Sequence, residues 1–175
     1  SYNNILSVTI PSIVTKIDKK AFRFFKSLEE IKVDDNNTKF TDKLEYINDI
    51  FIPGILVSKD GTDLYCLPSK YQCGEFDIPK QIDYVEDYAF YNCRYLSDLY
   101  VDHPVTYGGT DIINKTNDVL KIHLLAGSEL QVDAIKYGIP YETLDTYDYE
   151  KQSNGLNKKK DGYCFINSGK AFSYP

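Results

Sequence analysis

The sequence predicts an α/β solenoid with repeats of about 23 residues, parallel strands on a concave face, short helical turns and one hairpin insert. Two observations predict this fold class: one segment occurs twice, and its strand pattern recurs at a nearly constant step along the chain. The composition agrees with it, because 175 residues with 42% apolar and 14% aromatic content are sufficient for one domain with a hydrophobic core.

The duplicated segment runs from Ile10 to Val33 and again, without a gap, from Ile78 to Val101. Ten paired positions keep their size and polarity: Ile10/Ile78, Pro11/Pro79, Val14/Ile82, Ile17/Val85, Ala21/Ala89, Phe22/Phe90, Phe25/Cys93, Leu28/Leu96, Ile31/Leu99 and Val33/Val101. A fixed interior with a variable exterior is typical of stacked repeats. We therefore expect one continuous apolar core, in which truncating either Phe22 or Phe90 costs about 3–5 kcal/mol.

Each copy combines the periodicity of a short strand with that of a helical turn. The spacing of Leu28, Ile31 and Val33 ends in alternation, which predicts a strand with alternate side chains buried. Apolar residues three or four apart in "KKAFRFFKSL" and "EDYAFYNCRYL" predict one or two helical turns. Pro11 and Pro79 lack a ladder donor and therefore end the strands before them.

The strand pattern appears at least five times. Its apolar pairs lie about 23 residues apart except across one insert: Val8 and Ile10, Ile31 and Val33, Phe76 and Ile78, Leu99 and Val101, and Ile122 and Leu124. The insert contains "GILVSKDGTDLYCLP", two apolar runs around an Asp60-Gly61 turn, which predicts a β-hairpin. Such units bury their apolar faces by stacking, so we expect a continuous parallel sheet.

Charge and hydropathy argue against two partner classes. Twenty Lys and Arg against 26 Asp and Glu give a net charge of −6, the wrong sign for binding nucleic acid. The longest mostly apolar run, residues 46–57, is shorter than the roughly 20 residues that span a bilayer. We predict no membrane insertion in this piece, and the absence of any Met indicates that the chain is processed or cut from a longer protein.

The four cysteines form no CxxC pair, so a zinc site is not expected. Cys93 takes the place of Phe25 in the other copy, which predicts a buried free thiol in an apolar site. Cys66 and Cys73 are close enough in sequence to bridge across a turn, and the sequence leaves open whether they do. Cys164 lies in the carboxyl-terminal tail.

Only His103 and His123 could supply an imidazole. His103 precedes Pro104 in a loop, whereas His123 alternates with two buried apolar residues and is expected to point to the open face of the last strand. Neither has partners at the spacing of a catalytic triad or a metal site. We therefore predict no enzyme activity, no catalytic residue, no metal and no cofactor.

Residues that flank the middle apolar position of each strand face away from the core. We call these residues the concave strip: Ser7, Thr9, Glu30, Lys32, Glu75, Asp77, Asp98, Tyr100, Lys121 and His123. The strip is a candidate surface for binding a partner, since solenoids present extended concave faces. A solvated sheet face is the alternative interpretation, favoured by the charge of the strip and its single aromatic residue, and the tyrosines Tyr84, Tyr88, Tyr91 and Tyr95 on the convex side are an alternative binding surface.

The strand and turn pattern of Leu28 to Val33 and Ile78 to Leu96 resembles the BspA-type leucine-rich repeats of bacterial surface proteins and some parasitic protists, over about residues 5–145. The insert resembles a segment of that family at Val33, Asn37, Phe40, Ile55, Leu56, Lys59, Asp60, Gly61, Leu64 and Pro68. The run "LKIHLLAGSELQVDAIKYGIPYETL" resembles its closing unit of strand, turn and capping helix. The chain departs from the family pattern at 23–25 and 102–118.

The resemblance implies a non-catalytic leucine-rich-repeat module, on the cell surface or secreted, that adheres to an extracellular protein of host matrix or of another cell. We expect the isolated piece to be a monomer. A structural spacer that presents another domain and a glycan-binding module are the alternatives. The absence of Trp weakens the glycan alternative.

The predicted organisation is a repeat domain over 1–147, with its carboxyl-side cap at about 120–147. A polar linker over 148–162 follows, in which three consecutive lysines are interpreted as a solvated run. In the tail, 163–175, two apolar runs around Asn167-Ser168-Gly169 predict a hairpin. The resemblance implies that such a segment opens a further repeat array.

Overall fold

The chain folds as a solenoid of short, mostly parallel strands. The computed structural model describes residues 4–47, 50–109, 111–114, 118–144, 164–167 and 170–173, with the backbone alone at 45–47, 50–51, 164–167 and 170–173. The strands are β1 (Ser7–Ile10), β2 (Glu30–Val33), β3 (Phe40–Ile47), β4 (Ile50–Ser58), β5 (Asp63–Cys66), β6 (Glu75–Asp77), β7 (Tyr84–Val85), β8 (Asp98–Val101), β9 (Thr106–Tyr107), β10 (Lys121–Leu125), β11 (Tyr141–Leu144), β12 (Cys164–Asn167) and β13 (Lys170–Ser173). The helix α1 is Glu129–Tyr137.

From β5 to β10 the chain alternates between two sheets. One is a parallel sheet of four strands in the order β11-β10-β8-β6, and the other has the order β3-β4-β5-β7-β9. In the first sheet Ile122 pairs with Leu99 and Leu124 with Val101, which is the register that the step of the sequence pattern predicts. The α/β solenoid with parallel strands, short turns and an insert is confirmed.

The insert divides the strands, so the prediction of one continuous parallel sheet is wrong. β1 and β2 form a separate parallel pair, whereas β6, β8 and β10 lie in the four-stranded sheet. The predicted hairpin is present as the antiparallel pair β4–β5, preceded by an additional strand, β3. A Cβ added to Gly54 of β4 would lie 3.4 Å from the Cβ of Glu30, so the insert approaches β2 closely.

The apolar residues form two clusters rather than the single core that the repeat predicts. The larger cluster contains the second copy, with Phe90 fully buried, and the smaller contains the first copy. In the first copy Phe22 is only partly buried and Ala21 is exposed, whereas Ala89 is fully buried. The difference arises because later turns of the solenoid cover the second copy, while the first copy lies in the end pair β1–β2.

The carboxyl side of the repeats is closed by the predicted capping helix. α1 ends at Tyr137 and is followed by Gly138, whose N–H donates to the carbonyls of Ala134 and Ile135 and whose φ of 63° is the left-handed conformation that glycine adopts readily. The next strand, β11, was not predicted and adds to the edge of the sheet by pairing in parallel with β10. The predicted linker lies outside the described residues, and β12 and β13 of the tail pair antiparallel, as the hairpin pattern indicates.

All three cysteines of the repeats are buried, and Cys66 and Cys73 are not bridged. Burial raises the pKa of the Cys66 thiol to about 12 and that of Cys93 well above its usual range. The Cys93 thiol lies 3.5 Å from the carbonyl oxygen of Leu67. The prediction that Cys93 is a buried free thiol is confirmed.

We expect a maleimide to modify Cys164 in the native protein and to spare Cys93, because a buried thiol with a raised pKa supplies little accessible thiolate. Mass spectrometry of proteolytic peptides, before and after denaturation, measures both sites in one sample. A Cys93→Ala variant identifies the peptide. Modification of Cys93 at a rate similar to its rate in denaturant would contradict the prediction.

Candidate functional site

The concave strip forms two rows across the four-stranded sheet. In one row Glu75 pairs with Asp98 and Asp98 with Lys121. In the other, Asp77 pairs with Tyr100 and Tyr100 with His123. Residues in register on adjacent parallel strands lie about 4.8 Å apart, so the second row brings their side chains together on one face.

The first part of the strip lies outside this sheet. Glu30 and Lys32 belong to β2, where they are in register with Ser7 and Thr9 of β1. The Lys32 ammonium lies 2.8 Å from the Glu30 carboxylate, and both side chains are largely solvent-exposed. Hydrogen bonding to Glu30 raises the pKa of Lys32. The ten residues therefore occupy two separate sheets.

His123 is buried, which corrects the expectation that its side chain is open to solvent. It lies on the predicted face, but only 6% of the residue is exposed. Its ring stacks on Tyr100 with 4.0 Å between centroids, Nε2 lies 2.9 Å from the Asp98 carboxylate, and Nδ1 contacts the Glu142 carboxylate. The strand β11, which supplies Glu142, covers the edge that the sequence leaves open.

The charges of this part of the strip are largely paired with one another. The Lys121 ammonium lies 2.5 Å from the second oxygen of Glu142, and this hydrogen bond, together with that of His123, lowers the pKa of Glu142 despite some desolvation. Burial, reinforced by Asp98 and Glu75, raises the pKa of the Tyr100 hydroxyl to about 12. Lys121 and His123 are thus paired with Glu142 and Asp98. Carboxylates outnumber basic side chains on this face.

The sequence analysis did not identify Glu142 as a residue of the strip, because Glu142 does not follow His123 at the spacing of one repeat. His123 and Glu142 are 19 residues apart, since the cap replaces the turn of an ordinary repeat. Tyr141 and Thr143, residue types that favour strands, follow Pro140 and are the local signal that could have indicated a further strand.

His103 is also buried and serves a structural contact rather than an open site. Its Nε2 lies 3.0 Å from the carbonyl oxygen of Ile82, and its Nδ1 lies 3.4 Å from the Asp102 carboxylate, which also contacts Lys80. Although burial acts in the opposite direction, hydrogen bonds from His103 and Lys80 lower the pKa of Asp102. These bonds fix the loop that follows β8.

A cleft of about 390 Å³ lies between this loop and the turn before α1. Tyr107 and Ser128 line it, and their hydroxyls have no hydrogen-bond partner among the described residues. The part of the chain that the structure describes holds no group of three or more residues suited to a metal ion. None of its helices has the length and apolar character needed to cross a membrane.

The stacked parallel strands closed by a helix define a leucine-rich-repeat solenoid. The model of the BspA type leucine rich repeat region, in six copies, matches residues 1–118 and 61–136. The chain therefore belongs to the BspA-type leucine-rich repeat family, which confirms the resemblance. No curated protein matches the chain.

Three solved structures are similar to the chain. A leucine rich cell surface protein from Faecalibacterium prausnitzii is 21% identical over 67% of this chain and 29% of its own, with a TM-score of 0.47. The pneumococcal vaccine antigen PcpA is 14% identical over 82% and 57% (TM-score 0.41), and a leucine-rich repeat protein from Eubacterium ventriosum is 18% identical over 79% and 48% (TM-score 0.44). The chain spans less than two thirds of each.

Proposed function

We propose that this chain is a non-catalytic recognition module of a cell-surface or secreted protein, which adheres to an extracellular protein of host matrix or of another cell. Its membership of the BspA-type leucine-rich repeat family, whose repeats build extended sheets, supports the proposal. The candidate surface is the four-stranded part of the concave strip.

The observation that carries the proposal is the excess of carboxylates on this face. Glu75, Asp77, Asp98 and Glu142 stand against Lys121 and His123. Lys121 and His123 are already engaged by Glu142 and Asp98, so acidic side chains outnumber basic ones on this face. A partner with a basic surface fits this face, with modest affinity that falls as salt screens the exposed charges.

The test reverses charge on β6, because reversing Asp98 would break a contact of His123 and reversing Lys121 would break its contact with Glu142. We expect Glu75→Lys with Asp77→Lys to reduce binding to immobilised matrix proteins roughly threefold to tenfold, since each exposed charge contact contributes about 0.2–1 kcal/mol. The control pair Asp83→Lys with Glu129→Lys makes the same change of charge outside the strip. If both double variants bind equally well, the strip is not the binding surface.

The second candidate function is a glycan-binding module, which the cleft lined by Tyr107 and Ser128 favours because it is a concave site of about 390 Å³ whose walls hold two buried hydroxyls without partners among the described residues. A glycan array and a matrix-protein array probed with the same labelled chain separate the two. Binding to glycans alone, unaffected by the β6 variants, would replace protein recognition.

A further inference from the structure

An arginine on the convex side is held against three aromatic rings. The guanidinium carbon of Arg23 lies 4.7 Å from the ring centroid of Tyr88, 5.7 Å from that of Tyr91 and 5.3 Å from that of Phe24. Tyr88 and Tyr91 pack edge to face, with 5.3 Å between centroids. We call Arg23, Phe24, Tyr88 and Tyr91 the arginine cluster.

The two copies of the repeat build this cluster together. Arg23 and Tyr91 occupy equivalent positions of the two copies, and the side-chain amide of Asn92 donates to the carbonyl oxygen of Arg23 at 3.0 Å. Tyr88 has a φ of 64°, an uncommon conformation for a bulky residue, and its N–H donates to the carbonyl oxygen of Asp111. The backbone of both turns therefore fixes the rings that support the guanidinium.

The charge of Arg23 is not used within the described part of the chain. No described carboxylate or other acceptor lies within bonding distance of its guanidinium, whose contacts are the three rings. Asp111 is close enough to feel its charge, but that carboxylate is engaged by Lys136 at 2.6 Å and by Tyr137. A supported guanidinium with unused N–H donors is suited to bidentate binding of a carboxylate.

The surroundings of Arg23 are basic, although the chain is acidic. Residues 16–26 contain five cations and one anion, a net charge of +4, whereas the equivalent residues 84–94 contain one cation and two anions, a net charge of −1. Lys16, Lys20 and Lys26 are exposed, while Lys19 pairs with Asp87 of the second copy at 2.5 Å. The positive charge is therefore concentrated on the first copy beside the arginine cluster.

We propose that the arginine cluster, with the exposed Lys20 and Lys26, is a docking surface for an acidic protein segment that also carries apolar side chains. Carboxylates bind Arg23 and the lysines, and the phenyl ring of Phe24, in a residue that is 60% exposed, receives an apolar side chain. An acidic polysaccharide fits less well, because Arg23 already lies over the tyrosine rings on which a sugar would stack. This surface is separate from the concave strip and does not depend on it.

The experiment uses the whole chain and a fluorescein-labelled peptide of alternating glutamate and leucine, with binding followed by fluorescence anisotropy. We expect Arg23→Gln to weaken binding about tenfold or more and Arg23→Lys to weaken it less, because lysine keeps the charge and loses the bidentate fork. Lys39→Gln, an exposed cation of the insert, serves as the control and should stay within about twofold, since exposed single charges contribute little.

Circular dichroism melts establish that each variant is folded. Should Arg23→Gln fail to fold, the double variant Lys20→Gln with Lys26→Gln keeps the test, since both side chains are exposed, and a loss of about fivefold is expected. Failure of the peptide to bind, or an equal loss in the control, would overturn the proposal. So would binding of dextran sulfate through Arg23 without binding of the peptide, because the ligand would then be a polyanion rather than a protein segment.

Discussion

Replacing Phe90 by alanine is expected to lower the free energy of unfolding by about 3–5 kcal/mol. The ring is fully buried and packs against Phe76, with 5.9 Å between centroids. The N–H of Phe90 donates to the carbonyl oxygen of Ile112 in the next turn, so the residue lies where two turns of the solenoid stack. Alanine leaves a cavity that the neighbouring turns cannot close without breaking this stacking.

Urea denaturation followed by circular dichroism measures the effect, and Phe22→Ala is the matched control. Phe22 is the equivalent residue of the first copy, but it is only partly buried, so its truncation should cost about 1–2 kcal/mol. The repeat alone predicts equal effects at the two positions. Because the two rings differ in burial, we expect unequal effects instead. Equal losses at both positions would show that the ends of the solenoid are as tightly packed as its middle.

The register of the stacked strands was predictable because side-chain burial imposes it. Leu99 and Ile122 must both face the core, so the step between them has to match one turn of the solenoid. The same logic identified Cys93 as buried from its equivalence with Phe25. The hairpin was predictable for a local reason, since Gly61 in the turn has a φ of 76°, a backbone conformation that glycine adopts readily.

The division of the strands between separate sheets was not predictable, because it depends on distances that no local pattern records. The separation of β2 from β6 follows from the approach of β4 to Glu30, which brings together residues of different elements. The two-residue strands β7 and β9 are too short to show a periodicity. Sequence placed His123 on the correct face, but its burial results from β11, which lies off the repeat step.

The candidate surfaces likewise combine features that the sequence predicted with contacts that it did not. The strand pattern identified Asp98 and His123 as neighbours on one face, but not that they would pair with each other. On the convex side the sequence marked Arg23 as a departure from the family pattern and Tyr88 as part of an alternative binding surface, without linking them. Their contact requires two copies to stack with their turns aligned, which is a property of the assembled solenoid.

Replacing Asp133 by alanine is the second change for which we expect a large effect, a loss of about 2–3 kcal/mol. Asp133 lies on α1 and is only 2% exposed. Its carboxylate accepts hydrogen bonds from the backbone N–H groups of Ile112 at 2.7 Å and Asp111 at 3.3 Å. It thereby provides the acceptor for these two backbone N–H groups at the end of the stacked turns. No further repeat follows there within the described residues.

The expected loss is large because alanine would leave buried N–H groups without an acceptor, and a buried unpaired donor costs more than the lost bond alone. Glu129→Ala on the same helix is the control. Glu129 is exposed and lies in the first turn of the helix, where it interacts favourably with the helix dipole, so its removal should cost about 0.3–1 kcal/mol. Asp133→Asn retains one acceptor oxygen and should fall between the two in urea denaturation.

The pH dependence separates this role from a simple packing effect. Burial raises the pKa of Asp133 above its ordinary value of 3.8, although the backbone N–H groups act to lower it. The folded state therefore holds this proton more tightly than the unfolded state, so the contribution of Asp133 to stability decreases as pH rises from below 3.8 through the folded pKa. Since Asp133→Asn cannot titrate, the stability of wild type relative to this variant should fall across that window and become constant above it. A loss on Asp133→Ala no larger than that on Glu129→Ala would show that the carboxylate does not cap the solenoid, and a difference independent of pH would show that burial does not raise its pKa.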